Sequence, residues 1–153
     1  MNNKQKLLQY LQSQKLMSLA TYTDKPWVCT VYYAVDDAFN LYLITEPNTK
    51  HARDIVANTI VACAISDSHQ KVTDKKEGVQ IEGFCSQLSE DNKIKEALTL
   101  WNKANPGFEQ IINWESIQQG KIKGRVYLVK PTSIKYFNES LYGPEEFEVF
   151  LFT

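Results

Sequence analysis

Thr49, Lys50, His51 and Arg53 stand together directly after a strand-like run, and they are the residues of this chain best placed to bind something charged. Thr49 can cap a helix by accepting a bond from an N–H of its first turn. Lys50, His51 and Arg53 then crowd that turn with basic groups. A helix start carries partial positive charge and favours acidic neighbours, so the pattern is electrostatically odd. It becomes sensible if an anion, most simply a phosphate, sits against the free amides. The local pattern equally allows a plain solvated helix start that happens to be basic, since charged surface turns are common. Other chemistry finds little support. The chain has no G-x-S-x-G elbow, P-loop, G-x-G-x-x-G or H-E-x-x-H. Its two histidines are His51 and His69; neither has an obvious nucleophile paired to it, and His69 reads as solvated in a polar stretch. Cys29, Cys63 and Cys85 are widely spaced in apolar runs, which reads as buried reduced thiols rather than a zinc site.

The elements that must position the turn follow from pattern. The 153 residues suit one domain, and 43% hydrophobic with 23% charged residues describes a folded globular chain. A net charge of −1 argues against a large nucleic-acid or anionic-membrane surface. No signal peptide or bilayer-length apolar segment is seen, so the expected location is the cytoplasm. Residues 3–14 read as an amphipathic helix, with Leu7, Leu8 and Leu11 on the face that covers an open part of the fold. Strands are predicted over 16–22, 27–35 and 41–45, joined by short turns and therefore antiparallel. Glu46-Pro47-Asn48 breaks the third, and a helix runs from Thr49 to about Asn58 with Ala52, Ile55 and Val56 inward. The unbroken apolar run 59–65 predicts a fourth strand buried on both faces. Residues 66–76 are a loop or frayed hairpin. A fifth strand over 79–88 contains Gly83, a sign of a bulge or of close backbone approach. A helix capped by Ser89 or Asp91 runs to about Ala104, and a short hydrophobic helical piece spans Phe108 to Trp114; Trp101 and Trp114 are core candidates. Two nearly continuous strands, 125–131 and 133–138, meet around Pro131, and the apolar tail 147–152 is expected to pack across a partner subunit. The sum is a mainly β chain of about seven short strands, a pattern that suggests a barrel.

The order of these elements carries a resemblance. A helix, a three-strand meander, Thr45-x-x-x-Thr49-Lys50-His51-Ala52-Arg53, then Val61-Ala-Cys-Ala-Ile65, a loop and Gly78-Val-Gln-Ile-Glu-Gly83 resemble the pyridoxamine 5′-phosphate oxidase-like family of FMN-binding split barrels, in particular its small single-domain members. The likeness spans most of residues 5–138. It implies a six-stranded antiparallel split barrel of Greek-key type with flanking helices, forming a homodimer with FMN in a cleft between the subunits. Thr49, Lys50 and His51 would hold the phosphate, with Ile44 and Thr45 at the strand end beside it. Cys29, Thr30 and Val31 would run along the isoalloxazine ring, their backbone groups bonding its polar edge, and Gln80 would approach from the other subunit.

The departures bear on activity. The authentic oxidases carry an Arg-Lys pair where this chain has Lys50-His51, and basic residues on the second strand where it has Cys29 and Ala34. No Arg-x-His signature follows Phe137, so production of pyridoxal phosphate is not expected. The leading expectation is an FMN-dependent oxidoreductase acting on an unknown small substrate. The alternatives are a binding protein of the same fold without turnover, carrying FMN, haem or the deazaflavin F420, and an interaction dimer that has lost its cofactor.

Overall fold

In the computed structural model, which describes residues Met1–Thr153, the amphipathic start of the chain becomes helix α1, Asn3–Ser13. Asn2 and Gln5 close a reciprocal capping box at its N-terminus. Leu7 and Leu11 are fully buried, and the Leu11 carbonyl accepts a 2.5 Å hydrogen bond from the Tyr33 hydroxyl, which fixes the helix against the sheet.

Strands β1, Leu16–Tyr22, β2, Pro26–Val35, and β3, Leu41–Thr45, form the antiparallel meander. Helix α2, Lys50–Ala57, carries the chain to β4, Ile60–Ser66, on the other edge of β1, and β5, Glu77–Gln87, pairs with β4. Residues 67–76 form a loop of turns. Helices α3, Asp91–Ala104, and α4, Trp114–Gln118, lead to β6, Arg125–Asn138; a short α5, Glu139–Tyr142, and β7, Phe147–Leu151, complete the chain. The strand order is β3-β2-β1-β4-β5-β6-β7, and β3 also pairs with β6. Six strands thus close into the expected antiparallel barrel, with β7 as one extra strand. β6 achieves this by serving two neighbours in turn: Arg125–Val129 pair with β3, and Ser133–Phe137 pair with β7.

The barrel is filled by alternation. Met17 and Leu19 of β1, Val61, Cys63 and Ile65 of β4, and Val79, Ile81 and Cys85 of β5 join one core of 22 buried residues. Burial pushes the Cys63 and Cys85 thiols up to about 12, so they act as small apolar groups.

Several expectations are corrected. β4 is buried on one face only: Ile60, Ala62 and Ala64 point outward and nothing in the chain covers them. Val56 is exposed, and Asp54 takes the inward place on α2 beside Ala52 and Ile55. The helical piece after α3 begins only at Trp114, because Asn113 supplies the cap, accepting from the Ser116 N–H at 2.9 Å; Phe108 and Ile111 lie in exposed turns before it. The N-cap of α3 is Glu90, without a side-chain cap bond. Apart from these corrections, the apolar tail forms β7 by pairing with β6, and leaves Val149 and Leu151 exposed. Trp101 is buried and Trp114 packs on a small second cluster under α3, as expected of core residues.

Gly83 realises both of its expected roles. The β5–β6 register shifts between Glu82 and Gly83, and a Cβ at Gly83 would sit 2.5 Å from the Lys130 carbonyl oxygen. Gly83→Ala is therefore expected to destabilise the protein by about 1–3 kcal/mol, read as a lower denaturation midpoint at unchanged slope. Gly78→Ala, whose Cβ would meet only ordinary contacts at 3.6 Å and beyond, should stay within about 0.5 kcal/mol of wild type.

Candidate functional site

β3 ends at Thr45, and the chain turns through Glu46–Asn48 into α2. Thr49 is the N-cap: its hydroxyl accepts from the Ala52 N–H at 3.3 Å and donates to the Glu46 carbonyl at 2.8 Å. The His51 Nε2 lies 2.7 Å from the Thr45 hydroxyl and 3.2 Å from that of Thr49. Burial lowers the His51 pKa from its ordinary value, and the charge of Asp54 offsets this in part. The imidazole is therefore neutral near pH 7 and serves as a hydrogen-bonding group. The backbone amides of Lys50 and His51 meet no acceptor in the chain. Three sequence-predicted residues, Thr45, Thr49 and His51, thus form one cluster beside two free amides. Hydroxyls, a neutral imidazole and helix-start amides are the donors a phosphate monoester needs.

Lys50 stands apart from this cluster. Its ammonium reaches one turn along the helix to both carboxylate oxygens of Asp54, each at 2.8 Å, and lies 5.8 Å from the centre of the Trp27 ring. Asp54 is buried and also accepts from Thr21 at 2.9 Å and Thr23 at 3.3 Å. Lys50, as the strongest influence, holds the carboxyl below the usual range, with help from the two threonines. Asp54 thereby ties α2 to the end of β1. Sequence reading missed it, although its i,i+4 spacing from Lys50 is the signal that finds it. Arg53 is exposed and donates to the Asn48 carbonyl.

The second group lies on the barrel's outer face. The strand registers align Thr30, Ser18, Ala64, Gln80, Lys135 and Val149 in one cross-strand row. Thr30 and Gln80 therefore share a surface. It forms two adjoining concavities of about 420 and 560 Å³ that meet at Ser18 and Ala64. Cys29 and Val31 alternate to the inside and pack against the core. Their backbone is another matter. β1 covers one edge of β2 from Pro26 to Tyr32, but β3 pairs only with Tyr33–Val35. The other edge of β2 along Cys29–Val31 has no partner strand, which is the split in the barrel. Ile44 points away from the turn into the small cluster under α3.

No cluster of three or more His, Cys, Asp or Glu is placed to hold a metal, and no helix is long and apolar enough to cross a membrane. High thiol pKa values leave Cys63 and Cys85 without nucleophilic character.

Comparison with known proteins bears on the fold and the family. No curated protein sequence matches the chain significantly. Among solved structures, the chain is similar to a heme-binding protein from Mycobacterium smegmatis, with TM-score 0.74 and 14% identity, over 99% of this chain but only 59% of that one. It is similar to general stress protein 26 from Bacillus anthracis, with TM-score 0.71 and 19% identity, over 99% of this chain and all of that one. It also resembles a NimC/NimA family protein from Clostridium acetobutylicum, with TM-score 0.70 and 15% identity, over 97% and 92% of the two chains. At such identities the likeness is one of fold. The sequence model of the family described as pyridoxamine 5′-phosphate oxidase matches residues 4–138, and the chain belongs to that family.

Proposed function

We propose that this chain is an FMN-binding flavoprotein that works as a homodimer, an oxidoreductase acting on a small molecule. The observation that carries the reading is the Thr45–His51–Thr49 cluster beside two unpaired amides, at the end of β3 in a fold of this family. The phosphate would rest there. The partnerless edge of β2 at Cys29–Val31 would present backbone donors and acceptors to the polar edge of the ring, and Thr30 would contribute from the outer face. When bound, the flavin would supply the hydride or electron chemistry; the chain's part is to hold, orient and shield it. Haem would call for an axial ligand: the Nε2 of His51 is engaged by two threonines, while His69 is bonded to Asp67 through Nδ1 alone and keeps Nε2 free, so the phosphate reading rests on the Thr45, Thr49 and His51 donors and not on the histidines being unable to bind haem.

The homodimer rests on surface chemistry. Leu16, Val28, Tyr32, Val149 and Leu151 are exposed around the small residues Ser18, Ala20, Ala62 and Ala64. Exposed apolar side chains gathered beside small residues on a single chain mark an interaction surface. A second copy would bury it and bring a partner Gln80 to the ring.

Three outcomes test the reading. The purified protein should show flavin absorbance or acquire it with FMN. Thr49→Val and His51→Gln should each weaken FMN by about tenfold while leaving riboflavin, which lacks the phosphate, unchanged. A Soret band, a deazaflavin spectrum or indifference to FMN would remove it. Lys50→Ala is a poorer probe, because it also strands the buried Asp54 carboxylate.

The second outcome concerns pH. His51 starts with a depressed pKa, and a phosphate beside it would raise that value, so binding takes up a proton. FMN affinity should then rise as pH falls below neutrality, by at most about tenfold per unit, and level off once the free imidazole is itself protonated. The phosphate titrates in the same range, so the diagnostic is the difference from His51→Gln, whose profile should be the flatter. Superimposable profiles would count against a phosphate at His51.

Third, Ala64→Arg should convert a dimer into a monomer in sedimentation analysis and reduce FMN retention. A wild-type protein that sediments as a monomer at micromolar concentration would contradict the dimer.

A further inference from the structure

The phosphate site as described lacks a committed positive charge. Lys50 is neutralised by Asp54, His51 is uncharged near pH 7, and Arg53 lies exposed on the solvent side of α2. A phosphate can be held by neutral donors, but fixed cations hold it much better. A cation from a distant part of the chain stands opposite the site. β6 begins at Arg125, and the β3–β6 register sets Arg125 directly opposite Thr45. Directly opposed residues project from the same face of a sheet with Cβ atoms about 5 Å apart. Arg125 is thus the cross-strand neighbour of Thr45, whose hydroxyl lies 2.7 Å from the His51 imidazole.

The state of that guanidinium is unusual. Nη1 donates to the carbonyls of Ile122 at 3.1 Å and Gly124 at 2.8 Å. No carboxylate pairs with it: the chain's ion pairs are Lys50–Asp54, His69–Asp67 and Lys93–Glu90. Nε and Nη2 carry the other donors of the fork and meet no acceptor in the chain. Arg125 is half-buried, so these donors are only partly compensated by water. The loop that holds Nη1 is itself wedged against β3, since a Cβ at Gly124 would lie 3.0 Å from the Ile44 side chain. An uncompensated, half-buried arginine with its fork open, at the same barrel end as hydroxyls and free helix amides, is suited to a phosphate.

We infer that Arg125 is the cation of this anion site, gripping the same phosphate group as Thr45, Thr49 and His51. The inference rests on the phosphate reading above and names a ligand for it from the far end of the sequence. It also assigns Lys50 a different part, that of fastening α2 to β1 through Asp54.

Paired titrations with FMN and riboflavin isolate the contribution of the phosphate. Arg125→Ala is expected to weaken FMN by about 10- to 100-fold with riboflavin unchanged. Arg125→Lys, which keeps the charge and loses the fork, should fall between. Lys123→Ala, the loss of an exposed neighbouring cation, should change both ligands by less than about twofold. Equal losses for the two ligands, or no loss for either, would overturn the inference; if Arg125→Ala does not fold, Arg125→Gln makes the same comparison. Inorganic phosphate titrated against the His51 ring-proton resonances separates this result from the identity of the cofactor. Should the wild type ignore FMN, a His51 response to phosphate that disappears in Arg125→Ala still supports Arg125, and only the flavin falls. A wild-type His51 that does not respond to phosphate sinks the role given to Arg125.

Discussion

The pairing of β3 with β6 is the contact on which the rest of this structure depends. Leu41–Thr45 and Arg125–Val129 are separated by about half the chain, and joining them turns an open meander into a closed barrel. Closure has a geometric cost, because β6 must leave β3 and continue along β5 to receive β7. The register shift at Gly83 meets it: with no side chain there, the Lys130–Pro131 backbone approaches closely and β6 can bend. The same pairing fixes the end of β3 and hence the direction in which the turn to α2 emerges. Thr45 is at once the last residue of the closing pair and the first of the site.

A second constraint acts on α2. Burying Asp54 removes a carboxylate from water, which is tolerated only when the charge is paired and its oxygens are bonded. Lys50, Thr21 and Thr23 meet that requirement together. The consequence reaches the site, since the most obvious cation of the basic turn is spent on structure. What looks in the sequence like a cluster of positive charge becomes a set of largely neutral donors. In a pocket of that kind the arrangement of hydroxyls and amides governs selectivity, and the remaining charge must come from elsewhere.

How far the sequence revealed this depends on whether each feature is local. The β1–β3 meander, α1 and the break at Glu46–Asn48 were legible because alternation, short turns and Pro act over a few residues. Gly83 was legible as a bulge for the same reason. β4 misled: Ile-Val-Ala-Cys-Ala-Ile reads as uniformly apolar, and only the pairing shows that the outward positions are the small alanines. α4 was misplaced because Asn113, four residues after Glu109, is a cap whose signal was overshadowed by the hydrophobic residues before it. Thr45, Thr49 and His51 came from a short motif and do meet in space. Arg125 could not be found this way, since only strand register relates position 125 to position 45. Asp54 was in plain sight at helical spacing from Lys50, yet its role depends on burial, which a single sequence states weakly.

The split edge of β2 and the bare outer face are two sides of one physical problem. Unpaired backbone groups along an exposed edge invite either another strand or a ligand that can satisfy them. An apolar face beside that edge gains by being covered. A second strand would solve the first and leave the second untouched; β7 pairs with β6 instead and does neither for β2. A flat ring system with a polar rim can bond the edge and stack against the face, and a second copy of the chain can close over both. The phosphate cluster lies at the end of β3, the strand that leaves β2 unpaired beyond Tyr33. Edge, face and anion cluster thus make sense together as parts of a single cofactor cleft completed between two chains, which is why the proposed dimer and the proposed flavin stand on a common footing.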